Sequence, residues 1–117
     1  MIRHDNENGS VNISTSVYTD IVGTAASNCM GVKGMVARSV KDGVYHLLRR
    51  ESMGKGVRVE IHSDNTITID LHIMVGDGVN LNAIGNAIID EVRYMVEKCT
   101  GTMVRDVNVF IDSLVTG

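Results

Sequence analysis

Aromatic residues and proline are scarce in this sequence of 117 residues. It has no proline and no tryptophan, and aromatic residues make up 3% of it. Platforms on which nucleic-acid bases or sugar rings stack are therefore almost absent. The core must be built from valine, isoleucine, leucine, methionine and alanine. A chain of this length buries enough surface for one stable domain, and a second domain is not expected.

Cysteine and long apolar runs are also in short supply. The two cysteines, Cys29 and Cys99, fall on core-facing positions of predicted helices, which favours buried, reduced thiols. The first ten residues are polar and charged, unlike a signal peptide. No apolar stretch approaches the ~20 residues that a membrane-spanning helix requires. The sequence therefore predicts a cytoplasmic protein that does not insert into a membrane and reaches one only through a partner.

The first part of the chain predicts a strand followed by a helix. Residues 1–9 are interpreted as a flexible N-terminal segment, and residues 10–117 as a single domain whose first strand is 10–13. Ser14 is placed to cap the helix, and Gly31 supplies the left-handed residue that ends it. The predicted core-facing stripe of this helix is Val17, Ile21, Ala25 and Cys29, with Val22 and Ala26 beside it.

The stretch from Gly31 to Gly56 is irregular, glycine-rich and basic. Within it, Asp42 is placed to cap a short extra helix that carries Leu47 and Leu48 inward. From residue 33 to residue 58 the chain has seven basic and two acidic residues, a net charge of +5, which leaves −8 for the rest of a chain whose net charge is −3. The seven basic residues form the predicted interaction surface: Lys33, Arg38, Lys41, Arg49, Arg50, Lys55 and Arg58.

A β-hairpin follows, with apolar residues at every second position of 57–61 and 67–75. Pairing Val59 with Ile69 sets Arg58 against Asp70, whereas a shift by two residues sets Glu60 against Asp70. We therefore predict the first register. It leaves a three-residue turn, 63–65, in which Asn65 adopts the left-handed conformation.

The last part of the chain predicts a second helix and a final strand. Asn80 caps this helix, Gly101 ends it, and the final strand is 103–111. The predicted inner stripe of the helix is Leu81, Ile84, Ile88, Val92, Met95 and Cys99. The fold class is therefore α+β, a two-layer sandwich in the order β-α-β-β-α-β with the short extra helix. Both long helices lie on one face of a small, mainly antiparallel sheet.

No catalytic, metal or cofactor site is predicted. His62 and His72 share one face of the hairpin, but no third metal ligand lies near them in sequence, so solvated or interface histidines are favoured. The segment from Gly76 to Asn80 lies where a nucleotide-binding loop would lie, yet Leu81 stands where the third glycine is needed. A plain turn is favoured there, with a minor enzyme or nucleotide binder as a rival hypothesis.

An RNA-binding alternative rests on Gly31-Val32-Lys33-Gly34. A G-x-x-G between two helical stretches, with a lysine inside it, resembles the backbone-clamping loop of KH domains. The basic segment from Lys33 to Arg58 suits phosphates. The acidic remainder of the chain repels RNA, however, so nucleic acid is the less favoured partner.

Several short pieces, taken in order, resemble the alkaline-shock, or envelope-stress-response, family of Gram-positive bacteria. They are GSVNIS at 9–14, IVGTAA at 21–26, GVKGM at 31–35, GVNL at 78–81 and TGxxVxxVNV at 100–109. Central pieces at 41–43, 47–51 and 56–57 are similar to the branch found beside dihydroxyacetone-kinase-like fatty acid kinases. The resemblance implies a cytoplasmic protein without catalytic residues. It also implies self-assembly and, in some relatives, a membrane-anchored partner, with roles in envelope stress or lipid metabolism.

The favoured hypothesis is therefore an assembly or regulatory module. Its basic surface docks an acidic protein partner, and the outer face of its sheet supports a homo-oligomer.

Overall fold

The computed structural model describes residues 1–29, 31–37, 46–48 and 56–115, and for 33–37 and 46–48 it describes the backbone only. Its elements follow in chain order. They are β1 (Ile2–Asn6), β2 (Gly9–Ile13), α1 (Thr15–Ser27), β3 (Val32–Ala37), β4 (His46–Leu48), β5 (Val57–Ile61), β6 (Ile67–Gly76), α2 (Leu81–Thr100) and β7 (Val104–Val115).

Strand β6 is the centre of the main sheet. One of its edges pairs with β7 in parallel along nearly its whole length. The other edge pairs antiparallel with β5 over its first half and with β3 over its second half, and β4 extends β3. The predicted hairpin register is confirmed, because Val59 pairs with Ile69 and Arg58 with Asp70. Asn65 has a φ of 63°, the predicted left-handed conformation.

Burial explains why β6 is central. Its alternate residues Ile67, Ile69, Leu71, Ile73 and Val75 are all fully buried. They form one core with the buried faces of α1 and α2, so both helices cover the same face of the sheet. The predicted α+β sandwich is confirmed. The side chains that alternate with these five point away from the helices.

Helix α2 begins and ends as predicted. The Asn80 side chain accepts a hydrogen bond from the Ala83 amide at 3.0 Å, and Gly101 closes the helix with a φ of 73°. The predicted inner stripe is right for Ile84, Ile88 and Val92, and Met95 packs partly buried against the core. The buried residues are Ile84, Ile88, Val92 and Val96. Residues four apart are displaced from one another by about 40° around the helix axis, so the buried face shifts along α2. At the end of the helix this face no longer includes Cys99.

Leu81 and Cys99 are therefore exposed rather than core residues. The prediction of a buried thiol is wrong for Cys99. Cys29 is half-buried, and this burial, followed by the nearby Glu91 carboxylate, raises the pKa of its thiol.

The predicted face of α1 is confirmed for Val22, Ala25 and Ala26, which are buried, but not for Val17, which is exposed. Tyr18, which was not predicted to face the core, is fully buried. Tyr18 can enter the core because its hydroxyl lies 2.6 Å from the hydroxyl of Thr102, which is itself buried. A sequence pattern that counts only apolar residues misses a tyrosine with such a partner. Ser14 lies at the N-cap without a side-chain capping bond, and the helix ends at Ser27, before Gly31.

The N-terminal segment differs most from its prediction. Residues expected to be flexible form β1, which pairs antiparallel with β2. The Ile2 side chain is fully buried in the core. The His4 ring nitrogen Nε2 lies 3.1 Å from the Thr102 hydroxyl, and the Asn65 amide donates to the Arg3 carbonyl at 3.4 Å. Long-range contacts of this kind cannot be read from a short polar segment.

The predicted short helix is wrong where the structure describes it. His46–Leu48 is a strand, paired antiparallel with Met35–Ala37 of β3. Asp42, its predicted cap, lies outside the described residues. Pairing with a distant strand overrides the local helical pattern, because strand formation depends on neighbours more than on intrinsic preference.

Candidate functional site

The sheet has a second face that neither helix covers. Its side chains alternate with the buried ones along β5, β6 and β7. We call this surface the outer sheet face. Its residues include Arg58, Glu60, Thr68, Asp70, His72, Met74, Asp106, Asn108, Phe110 and Asp112.

A three-residue cluster orders the middle of the outer sheet face. The His72 ring nitrogen Nδ1 lies 2.7 Å from a carboxylate oxygen of Asp112, and both side chains are largely buried. The ring of Phe110 stacks on the His72 ring, with centroids 4.8 Å apart and planes at 15°. Phe110 itself remains 45% exposed. An exposed aromatic ring is thus held in one orientation by a histidine that a carboxylate orients in turn.

The parallel register of β6 and β7 creates this cluster. His72 pairs with Phe110, and an irregularity between Ile73 and Met74 inserts Asp112 as an extra residue on β7. The extra residue brings its carboxylate to the histidine. The sequence predicts His72 as a solvated or interface histidine on this face. It does not predict the Asp112 contact, because no local pattern reveals the register of two strands separated by a helix.

The cluster orders a surface better than it performs chemistry. The contact with Asp112 engages Nδ1 of His72, so the other ring nitrogen is the one left for further partners. General-base catalysis also needs a nucleophile within hydrogen-bond reach of the other ring nitrogen. The nearby Ser113 hydroxyl is buried without a hydrogen-bond partner and is therefore not bonded to His72.

The other end of the outer sheet face is polar and paired. Asn108 donates to Asp70 at 2.8 Å, and the second predicted histidine, His62, lies 2.7 Å from the Thr68 hydroxyl. The two histidines thus have separate partners. No group of three potential metal ligands occurs in the part of the chain that the structure describes.

The hairpin turn beside this polar end is held by Asp64. Its carboxylate accepts hydrogen bonds from the hydroxyl and amide of Thr66 and contacts the Arg105 guanidinium at 3.1 Å. The Thr66 hydrogen bonds, with a smaller contribution from Arg105, lower the pKa of Asp64 to about 2. The carboxylate therefore stays ionised at neutral pH and ties the turn to β7.

The predicted basic surface lies mostly beyond the described side chains. Arg58 is exposed on the outer sheet face, opposite Asp70. Lys33 is described only through its backbone, in β3. The remaining five positions, Arg38, Lys41, Arg49, Arg50 and Lys55, lie outside the described residues. The described residues therefore do not test whether the seven lie together, and the surface stays a prediction.

The G-x-x-G segment is not a loop between two helices. Gly31 follows α1, whereas Lys33 and Gly34 belong to β3. Gly34 pairs with Met74, and the register shifts between Val32 and Gly34. A strand paired with the central strand of a sheet differs from a phosphate-clamping loop, so the resemblance to KH domains loses its structural basis.

The segment from Gly76 to Asn80 joins β6 to α2, and its first two amides are engaged within the fold. The Gly76 amide donates to the Gly31 carbonyl, and the Asp77 amide donates to the Val115 carbonyl, each at 3.1 Å. The Asn80 side chain occupies the start of α2. These three contacts favour the predicted plain turn over a nucleotide site.

Comparison with known proteins identifies close sequence relatives. The sequence model of the ASP23 family, cell envelope-related function, matches residues 3–116. The protein YloU of Bacillus subtilis (strain 168) is 31% identical over 107 residues, 91% of this chain and 88% of its own length. Spy1614 of Streptococcus pyogenes serotype M6 is 29% identical over 114 residues, 97% of this chain and 93% of its own.

Solved structures share the fold at lower sequence identity. The MamM CTD matches with a TM-score of 0.52 at 15% identity, covering 86% of this chain and 99% of that one. A variant of it in a manganese form matches with a TM-score of 0.51 at 16% identity, covering 86% and 99%. These matches concern the fold alone. Among the residues described, neither helix combines the length and apolar character that crossing a membrane requires.

Proposed function

Because this chain belongs to the alkaline-shock family, whose function is related to the cell envelope, we propose that it is a non-catalytic assembly or regulatory protein. It serves envelope stress or lipid metabolism by binding other proteins and further copies of itself. It uses no cofactor. It works in the cytoplasm and reaches the membrane through a partner.

The observation that carries this proposal is the outer sheet face with its ordered aromatic ring. Phe110 is 45% exposed yet already oriented by His72 and Asp112. Binding through a side chain that is ordered beforehand loses less conformational entropy than binding through a mobile one. Aromatic residues are also enriched among those that dominate binding energy at protein interfaces. The cluster therefore suits an anchor for another protein surface.

Mass in solution tests the self-association part of this function. Sedimentation across a dilution series is expected to show species heavier than the 12.7 kDa monomer, in proportions that rise with concentration. Crosslinking and affinity capture from the native cell test the partner part. A chain that stays monomeric at every concentration and recovers no protein specifically would contradict the proposal.

The basic surface gives a separate, charge-based prediction. Reversing Arg49 and Arg50 to glutamate changes the charge of the predicted docking surface by four units, and recovery of the acidic partner in a pull-down should be abolished. A matched control reverses Arg3 and Arg105, which are exposed and paired with acidic residues elsewhere. Equal recovery with both double variants would show that total charge, or another surface, governs binding.

A further inference from the structure

Strand β7 has one edge that no described strand covers. It is 12 residues long and pairs with β6 on one side. Among the described residues, no strand pairs with its other side. The outward amides and carbonyls of such an edge are a template for another strand.

The beginning of this edge is closed by α2. The Arg93 guanidinium donates to the Val104 carbonyl at 2.6 Å, and the Glu97 carboxylate accepts from the Val104 amide at 3.0 Å. These contacts occupy the backbone groups that an added strand would use there. Any strand that adds to β7 must therefore lie further along it.

The middle of the edge has the composition of a pairing segment. From Val107 to Ile111 the sequence is Val-Asn-Val-Phe-Ile, which is uncharged and rich in β-branched and aromatic residues. Charged residues flank it, Asp106 before and Asp112 after. The edge strand β5 differs, because Arg58 and Glu60 place charges within its five residues.

We propose that the occupant of this edge is β7 of a second copy, paired antiparallel about a two-fold axis at Phe110. This inference rests on the self-association in the proposed function and gives it a specific interface. The axis is perpendicular to the sheet, so each copy continues the sheet of the other and the helices of both lie on one side.

Charge disfavours one neighbouring register, and the closed end of the strand disfavours another. An axis at Val109 sets Asp106 of one copy against Asp112 of the other, and like charges directly opposite are destabilising. An axis at Asn108 moves the pairing toward the end that Arg93 and Glu97 close. With the axis at Phe110, the Asn108 amide faces the Asp112 carboxylate, and the two Phe110 rings meet at the centre.

The test introduces charge at Phe110, where the two-fold axis brings the two copies of this residue together. Phe110→Lys and Phe110→Glu each place two like charges opposite one another, so each variant alone should self-associate about tenfold or more weakly than the parent. An equimolar mixture of the two should recover association. Met103→Lys, at an exposed position outside the pairing segment, is the matched control and should associate like the parent.

Hydrogen exchange separates edge pairing from contact through the outer sheet face. In the associated state, the outward-pointing β7 amides between Val107 and Ile111 should exchange about tenfold or more slowly than in the monomer. Association without slower exchange at these amides would rule out pairing through the β7 edge but would still support self-association. A protein that stays monomeric throughout would overturn both. Failure of the mixture to recover association would also overturn the two-fold register.

Discussion

Replacing Ile2 with alanine is expected to lower the free energy of unfolding by about 2 to 5 kcal/mol, as for other large-to-small substitutions of buried aliphatic residues. The Ile2 side chain is fully buried in the core, although it is the second residue of the chain. Its removal leaves a cavity at the base of the β1–β2 hairpin. The effect is measured as the midpoint shift in urea unfolding at unchanged slope.

The control for this prediction lies on the same hairpin. Val11 is 55% exposed on β2, so Val11→Ala should change the free energy of unfolding by no more than about 0.5 kcal/mol. If Ile2→Ala and Val11→Ala have the same small effect, the N-terminal segment is loosely attached, as the sequence alone predicts. A large difference establishes the hairpin as part of the folded unit.

Elements with a local physical signal were predictable from the sequence. The β5–β6 register follows from the alternation of apolar residues together with the Arg58–Asp70 pairing, and both can be read within 20 residues of each other. The turn at Asn65 and the cap at Asn80 depend on the chemistry of single residues. These predictions hold because the local preference of the sequence and the tertiary contacts favour the same conformation.

Elements held by distant contacts were not predictable. The β1–β2 hairpin depends on Thr102 and Asn65, which are far away in the chain. The burial of Tyr18 on α1 depends on a buried partner for its hydroxyl. Strand β4 depends on pairing with β3. In each case, tertiary contacts overrode a local preference that was itself weak.

The candidate site likewise has one part that was predictable from local sequence and one part that depends on distant contacts. The position of His72 on the outer sheet face was predictable from alternation along β6. Its role at an interface stays a prediction. The Asp112 contact was not predictable, because it depends on the parallel register of β7 and on one inserted residue. The ordered ring of Phe110 is thus a product of tertiary structure, although the exposed position of Phe110 is visible in the sequence.

Thr102 links the three parts of the chain that sequence reasoning treated separately. Its hydroxyl lies 2.6 Å from that of Tyr18 on α1 and 3.1 Å from the His4 ring on β1, and Thr102 itself follows α2. Thr102→Val keeps the shape but leaves the buried Tyr18 hydroxyl without this partner. The expected loss in the free energy of unfolding is about 1 to 3 kcal/mol, measured by urea unfolding.

A second substitution shows whether that loss comes from the unpaired hydroxyl. Tyr18→Phe in the Thr102→Val background removes the group left without its partner, so the double variant should be more stable than Thr102→Val alone. Additive losses would mean that the two hydroxyls do not interact. Thr102→Ser, which keeps the hydroxyl, should retain most of the coupling with Tyr18. Recovery in the double variant would therefore assign the loss in Thr102→Val to the Tyr18 hydroxyl left without its buried partner.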